Sequence, residues 1–264
     1  RHREKRPSHG NRESRSLMSG SRPASDRPNE LYGDTWVYES IVGAIPGVDL
    51  TDWQAIAIQL ALFETGVLLL AWFYDLWGAV LPGSVAVAVA AAGSGVMRQF
   101  GRRTRRLDLP EPYRRLLFGS SIEVVLGILA FVALVTHLFV FDPRSADPPL
   151  LEWLFGPDPA IPVVYLTLLI LWDLCYRIGT SWWAAVVALW RSWRYAFDPE
   201  TARRLRRLDA LNVGFGLTQL AMIPFLLDRP VLLVAVGGHI VAVTVVSLAA
   251  MATLRVREVD PVAN

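Results

Sequence analysis

Eight polar side chains fall inside or at the edge of long apolar runs and could do chemistry there: Glu64, Glu123, Asn212, Asp173, Arg177, His137, His239 and Gln219. A charged group near the middle of a bilayer costs about 2.5–3.5 kcal/mol on insertion scales, so it faces protein or water and invites a functional reading. A carboxyl shielded from water can take up and release a proton, which makes Glu64 and Glu123 candidates for a proton or substrate site. The competing reading is a buried structural hydrogen bond, and both stay open. Asp173 and Arg177 are four residues apart and share one helical face. They form either an ion pair that lets the helix insert or a gate and counter-ion to Glu64. Glu123, Gly127, Ala130, Leu134 and His137 step by 4, 3, 4 and 3, while Asp209, Asn212, Gly216 and Gln219 step by 3, 4 and 3. Each set makes one stripe of small and polar residues, suited to close helix contact or to a water-lined path. Gln59 adds further uncharged polarity. The histidines lack a His-x3-His or Cys/His cluster, so neutral imidazoles bonded to a neighbouring helix are expected, with no metal and no cofactor.

The elements that carry these residues follow from composition. The chain has 264 residues, of which 53% are hydrophobic and 19% charged, and a mean hydropathy of +0.36. The first 30 residues are nearly all polar, so the remainder is too apolar for a water-soluble surface, where charge reaches about a quarter of residues. A soluble globular enzyme, a disordered chain and a disulfide-knit secreted module are excluded. Cys175 is the only cysteine, which rules out an intrachain disulfide. The expectation is an all-α integral membrane protein.

A bilayer core needs about 20 apolar residues as a helix. Six stretches qualify: Gln54–Tyr74, Trp77–Met97, Leu117–Phe141, Ile161–Trp190, Ala210–Leu227 and Pro230–Leu254. The second is the weakest, because Pro82-Gly83 interrupts its start. Arginines 98, 102, 103, 105, 106, 114 and 115 crowd one loop, and 191, 194, 203, 204, 206 and 207 another. The loop at 142–160 holds Arg144 among Asp142, Asp147, Glu152 and Asp158. By the positive-inside rule the Arg-rich loops are cytoplasmic, which puts both termini inside and the protein in the cell membrane as three hairpins. Trp53, Trp72, Tyr74, Trp77, Trp153, Trp190, Trp193 and Tyr195 fall near the expected interfaces, where amphipathic rings settle. The loops Arg98–Arg115 and Arg191–Arg207 could also touch anionic lipid headgroups, with plain topology determination as the simpler role. No folded basic domain supports nucleic-acid binding.

Residues 1–30 read as a disordered Arg-, Ser- and Pro-rich tail. Met18 opens Met-Ser-Gly-Ser, so a start there, which makes residues 1–17 an artefact, and an earlier start both stay open. No cleavable signal peptide is expected. In residues 31–52, Asp34-Thr35 can cap a helix with an apolar stripe of Val37, Tyr38, Ile41, Val42 and Ile45, ended by Pro46-Gly47. It either lies on the membrane surface or packs as a cap beneath the bundle. The spans occupy residues 53–255, and 256–264 form a cytoplasmic tail.

Three segments align without gaps: Val48-Asp-Leu-Thr-Asp52, Leu107-Asp-Leu-Pro-Glu111 and Ala196-Phe-Asp-Pro-Glu200. Twelve residues after each acidic position comes Glu64, Glu123 or Asn212, and Gly127 corresponds to Gly216. Helix starts favour Pro and negative charge anyway, so an internal hairpin repeat and unrelated start signals both fit.

Gly33-Asp-Thr-Trp-Val-Tyr-Glu-Ser-Ile-Val-Gly-Ala-Ile-Pro-Gly47, with the spans that follow, resembles an uncharacterised haloarchaeal family of multi-span membrane proteins. The resemblance implies membrane localisation and brings no activity or site residues. Phosphate-loop, dinucleotide, zinc-protease and nucleophile-elbow motifs are absent, which disfavours an enzyme. Two functions lead, with an intramembrane enzyme a distant third. One is a small transporter or ion-coupled permease using the intramembrane carboxylates; the other is a non-transporting scaffold or regulatory subunit whose polar residues support helix contact.

Overall fold

A computed structural model of the chain describes Trp36 and residues 51–257. The tail at 1–30, the start-site question at Met18, the stripe from Val37 to Ile45 and the residues after 257 lie outside the described residues. Helix α1 (Asp52–Tyr74) opens on a capping box in which the Thr51 hydroxyl accepts from the Gln54 backbone and the Gln54 side chain accepts from the Thr51 N–H. This satisfies donors that a helix start leaves free. Helix α2 (Trp77–Arg105) runs unbroken through Pro82, so the expected interruption at Pro82-Gly83 does not occur. Proline removes one backbone donor, and here the flanking turns carry the helix past it.

After α3 (Glu111–Phe118), Ser121 takes a left-handed backbone (φ 54°) and redirects the chain into α4 (Ile122–Thr136). A π-helical turn at His137–Phe141 leads to the short helices α5 (Asp142–Ser145) and α6 (Leu150–Phe155). Helix α7 (Ile161–Arg194) is the longest, with 34 residues. Strand β1 (Ala196–Phe197) is followed by α8 (Pro199–Thr218), a 3-10 turn at Gln219–Phe225, α9 (Pro230–Thr253) and strand β2 (Arg255–Val256). The two strands pair in parallel, with Ala196 opposite Arg255 and Phe197 opposite Val256. They tie the end of α7 to the end of α9.

Among the described residues, five helical stretches are long and apolar enough to cross a membrane: Trp53–Tyr74, Trp77–Arg105, Glu111–Ser145, Ile161–Arg194 and Pro230–Thr253. The third is interrupted at 119–121, between α3 and α4. The expected span Ala210–Leu227 is not among them. Its apolar run is split between the second half of α8 and the 3-10 turn, and the first half of α8 carries Arg203, Arg204, Arg206 and Arg207, followed at once by Asp209. Helix α1 packs on α2, α4 on α7, and α8 on α9, while α7 also touches α2 and α9. Leu62, Leu129, Val132, Val234 and Val245 face outward on the apolar helices. Trp53, Trp72, Trp77, Trp153 and Trp193 are more than half exposed near helix ends, whereas Trp190 and Tyr195 pack against the apolar core.

The largest apolar core lies at the Arg-rich end. Trp36, Phe100, Tyr113, Leu117, Phe118, Leu205, Leu208 and Leu254 pack there in one cluster. At 1.5 Å per residue α7 is about 51 Å long, against a hydrocarbon core of roughly 30 Å, so its last turns extend into this base. The stretches 98–115 and 191–209, expected as loops, are largely helical there. Hydropathy marks where a helix leaves lipid, not where it ends. Trp36 stacks on Phe100 (5.7 Å) and meets Phe118 edge-on (5.2 Å), and its indole N–H donates to the Leu117 carbonyl at 3.2 Å. Trp183 donates to the Leu116 carbonyl at 3.1 Å. The two indoles thus satisfy carbonyls that the end of α3 leaves without helical partners.

Candidate functional site

Close helix contact positions the polar residues. A Cβ added at Gly179 would sit 2.6 Å from the Gly127 nitrogen and 2.8 Å from the Glu123 carbonyl oxygen, both backbone atoms. Glycine at 179 therefore lets α7 cross α4 in direct backbone contact, and the crossing buries Glu123 completely in the first turn of α4. Gly93 plays a similar part on α2, where a Cβ would fall 2.7 Å from the Phe215 ring and 3.1 Å from Arg177.

Asp173 and Arg177 pair on α7 as the spacing implies, with Nη2 to Oδ1 at 2.8 Å and both residues buried. The pair is not closed within its own helix. Gln59 of α1 donates from Nε2 to Asp173 Oδ2 at 2.7 Å, and Ser94 of α2 donates to Gln59 Oε1 at 2.9 Å. One hydrogen-bonded layer thus joins three helices and supplies donors to both carboxylate oxygens, as a buried charge requires. Glu64 has a different partner: it is half-buried and accepts from the Ser84 hydroxyl at 2.6 Å, joining α1 to α2. Asn212 on α8 accepts from the Ser181 hydroxyl at 2.9 Å and donates to the Ser181 carbonyl at 3.0 Å and to Ser247 of α9 at 3.5 Å. That amide joins α7, α8 and α9.

The remaining candidates are scattered. Gln219 is buried at the junction of α8 with the 3-10 turn, and neither its oxygen nor its nitrogen has a hydrogen-bond partner among the described residues. His239 Nε2 is likewise enclosed without such a partner on α9. His137 is half-buried at the start of the π-helical turn. Among the described residues no three of His, Cys, Asp and Glu are grouped to hold a metal ion. The repeat's equated positions differ in surroundings. A Cβ at Gly127 would lie 3.1 Å from Tyr176 Cα, whereas one at Gly216 would meet nothing within 4 Å.

A charged cluster in the base was hidden in the sequence. Arg191, counted there among the loop arginines, is fully buried. Its guanidinium donates to Asp209 Oδ2 at 2.6 Å and to the Tyr113 hydroxyl at 3.2 Å, and lies over the Tyr113 ring at 5.5 Å. Arg191 is 18 residues from Asp209 and 78 from Tyr113, so no local periodicity marks the group. Nearby, hydrogen bonds from Thr201 hold the exposed carboxyl of Asp198, the N-cap of α8, below the usual carboxylate range.

An apolar cavity lies elsewhere. It holds about 220 Å³ and is bordered by α1, α2, α4, α6, α7, the 3-10 turn and α9, through residues such as Val67, Ala86, Leu134, Trp153, Ile170 and Met222. None of the eight candidate residues lines it. Beside Gln59 and Asp173 there is only about 10 Å³, the threshold for a single water. Asp173, Glu64 and Asn212 are thus bonded from helix to helix, and none of them lines the 220 Å³ cavity.

No curated protein and no solved structure matches the chain. Residues 31–250 match a family of unknown function, DUF7530, which takes in all the helices except the last turn of α9. By that match over most of its length, the chain belongs to the DUF7530 family.

Proposed function

We propose that this chain is a multi-pass integral membrane protein that serves as a scaffold or regulatory subunit, its intramembrane polar residues holding helices together. In this reading α8 with its 3-10 turn makes a sixth crossing. The Arg-rich base and both termini face the cytoplasm, following the positive-inside rule. The shared core of Trp36, Leu107, Phe197 and Leu254 supports placing the two ends of the bundle with the Arg-rich segments. The exposed arginines Arg102, Arg103, Arg203 and Arg207 suit anionic headgroups at that surface. Scarce lysine and the acidic residues at 142–160 support a haloarchaeal source.

The observation that carries the proposal is the partnering of Asp173 and Asn212 across helices, with the apolar cavity lined by neither. A scaffold needs such contacts, whereas a permease needs water at its carboxylates in some state. The transporter reading keeps one point in its favour, the half-buried Glu64. Single cysteines at Glu64, Glu123 and Asn212 in a Cys175→Ala background separate the two. Each variant is treated from either side with a membrane-impermeant thiol reagent, with Leu68→Cys and Leu126→Cys as apolar controls. Protection of all three sites in protein that elutes normally is expected. Labelling of the three sites but not the controls would show an aqueous path and make transport the better reading.

A further inference from the structure

We propose that the 220 Å³ cavity is the seat of one hydrocarbon chain of a membrane lipid, an inference that rests on the membrane reading above. Protein interiors are close-packed, and an apolar cavity of even about 150 Å³ stays dry and takes up apolar ligands. This cavity is larger. Trp153, Thr167 and Cys175 alone bring side-chain donors to its wall, none of them charged, and the Thr167 hydroxyl already donates to the Val163 carbonyl at 2.8 Å. A sugar, nucleotide or ion would find no charged partner there and lose its hydration.

Shape narrows the occupant further. The lining on α7 runs from Val163 to Ile178, which at 1.5 Å per residue is a length of about 22 Å. So long a space of this volume is narrow, suited to an extended chain and not to a compact ring system. Helices border it on several sides, and its volume is too small for a helix or strand of a partner. Helix α6 contributes Leu150, Trp153, Leu154 and Phe155 to the wall. The approach to α6 is fixed by polar contacts: Asp142 Oδ2 accepts from the Leu150 N–H at 2.5 Å, and Arg229 donates to the Pro148 carbonyl at 2.9 Å while lying 3.6 Å from Asp142. The covering helix is thus anchored to the start of α9.

The test uses full-length protein in phosphatidylcholine vesicles containing a trace of phosphatidylcholine with a mid-chain diazirine. After irradiation, labelled residues are mapped by peptide mass spectrometry. Labelling is expected at Leu134, Ile170 and Met222 in the cavity as well as at the outward-facing Leu62, Val132 and Val245. Ala86→Phe and, from another wall, Leu134→Trp narrow the cavity. Each should lower labelling at Ile170 and Met222 several-fold and leave the outward positions unchanged. Outward labelling with a silent cavity, or cavity labelling unmoved by both variants, overturns the inference and leaves the membrane reading standing. Silence at both sets of positions overturns the membrane reading as well.

Discussion

The buried Arg191–Asp209–Tyr113 group shows what a single residue contributes when charge is removed from water. Breaking a buried ion pair strands the surviving charge and costs about 3–5 kcal/mol, whereas replacing both partners with apolar groups of similar size comes near neutral. Arg191 Nε and Asp209 Oδ1 have no hydrogen-bond partner among the described residues, so the pair is incompletely satisfied even when intact. Asp209→Leu alone is therefore expected to lower stability by about 3–5 kcal/mol, and Arg191→Met with Asp209→Leu by clearly less. Thermal unfolding in detergent measures these and Arg191→Met alone, and a double variant as unstable as the sum of the two singles would show that the two side chains act independently and not as a pair. The contrast with Asp173–Arg177 explains what was legible. Four-residue spacing puts two side chains on one helical face, so that pair could be read locally. Gln59 lies 114 residues from Asp173, and only the fold brings them together.

At the scale of elements, the α4–α7 crossing depends on Gly179. Adding a methyl there drives it into the Gly127 and Glu123 backbone, which has no side-chain freedom with which to yield. Gly179→Ala should therefore push the helices apart, at a cost of about 1–3 kcal/mol for overpacking. Gly214→Ala, with nothing within 4 Å of the new Cβ, should be neutral or stabilise by roughly 0.4–1 kcal/mol. Unfolding temperatures of the two variants check this, and equal shifts would refute the crossing as a point of close approach. Gly127 was legible because it lies on a stripe of small and polar residues. Gly179 was missed: its run Gly179-Thr-Ser181 carries the same signal, but nothing in the sequence says which helix it meets. The boundary of α8 was hidden for another reason. Apolar runs report lipid-facing length, whereas this helix starts at Pro199 among arginines on the exposed side of the base.

The described helices form an apolar bundle and a base built from helix ends. The all-helical apolar class was legible because a helix able to cross a bilayer needs a long uncharged run. The base was not, since its core residues are spread from Trp36 to Leu254 between exposed arginines. If the base is held together by its own apolar core, it can loosen without the bundle. Trp36 is the sharpest probe of that, because it is 2% exposed and packs on Phe100 and Phe118 from a segment separate from the described bundle helices. Trp36→Ala removes both ring contacts and the bond to the Leu117 carbonyl, a loss of about 3–5 kcal/mol for a buried aromatic. Hydrogen exchange is expected to accelerate at Phe100, Leu117 and Phe118 while Val236 to Val243 on α9 keep their protection, as separate cooperative units require. Trp36→Phe, which keeps ring contact and loses the donor, should fall between the wild type and Trp36→Ala. Equal acceleration in the base and in α9 would mean that the two parts open as one unit. In that case the parallel strand pair, which joins the ends of α7 and α9, would be the mechanical link between them.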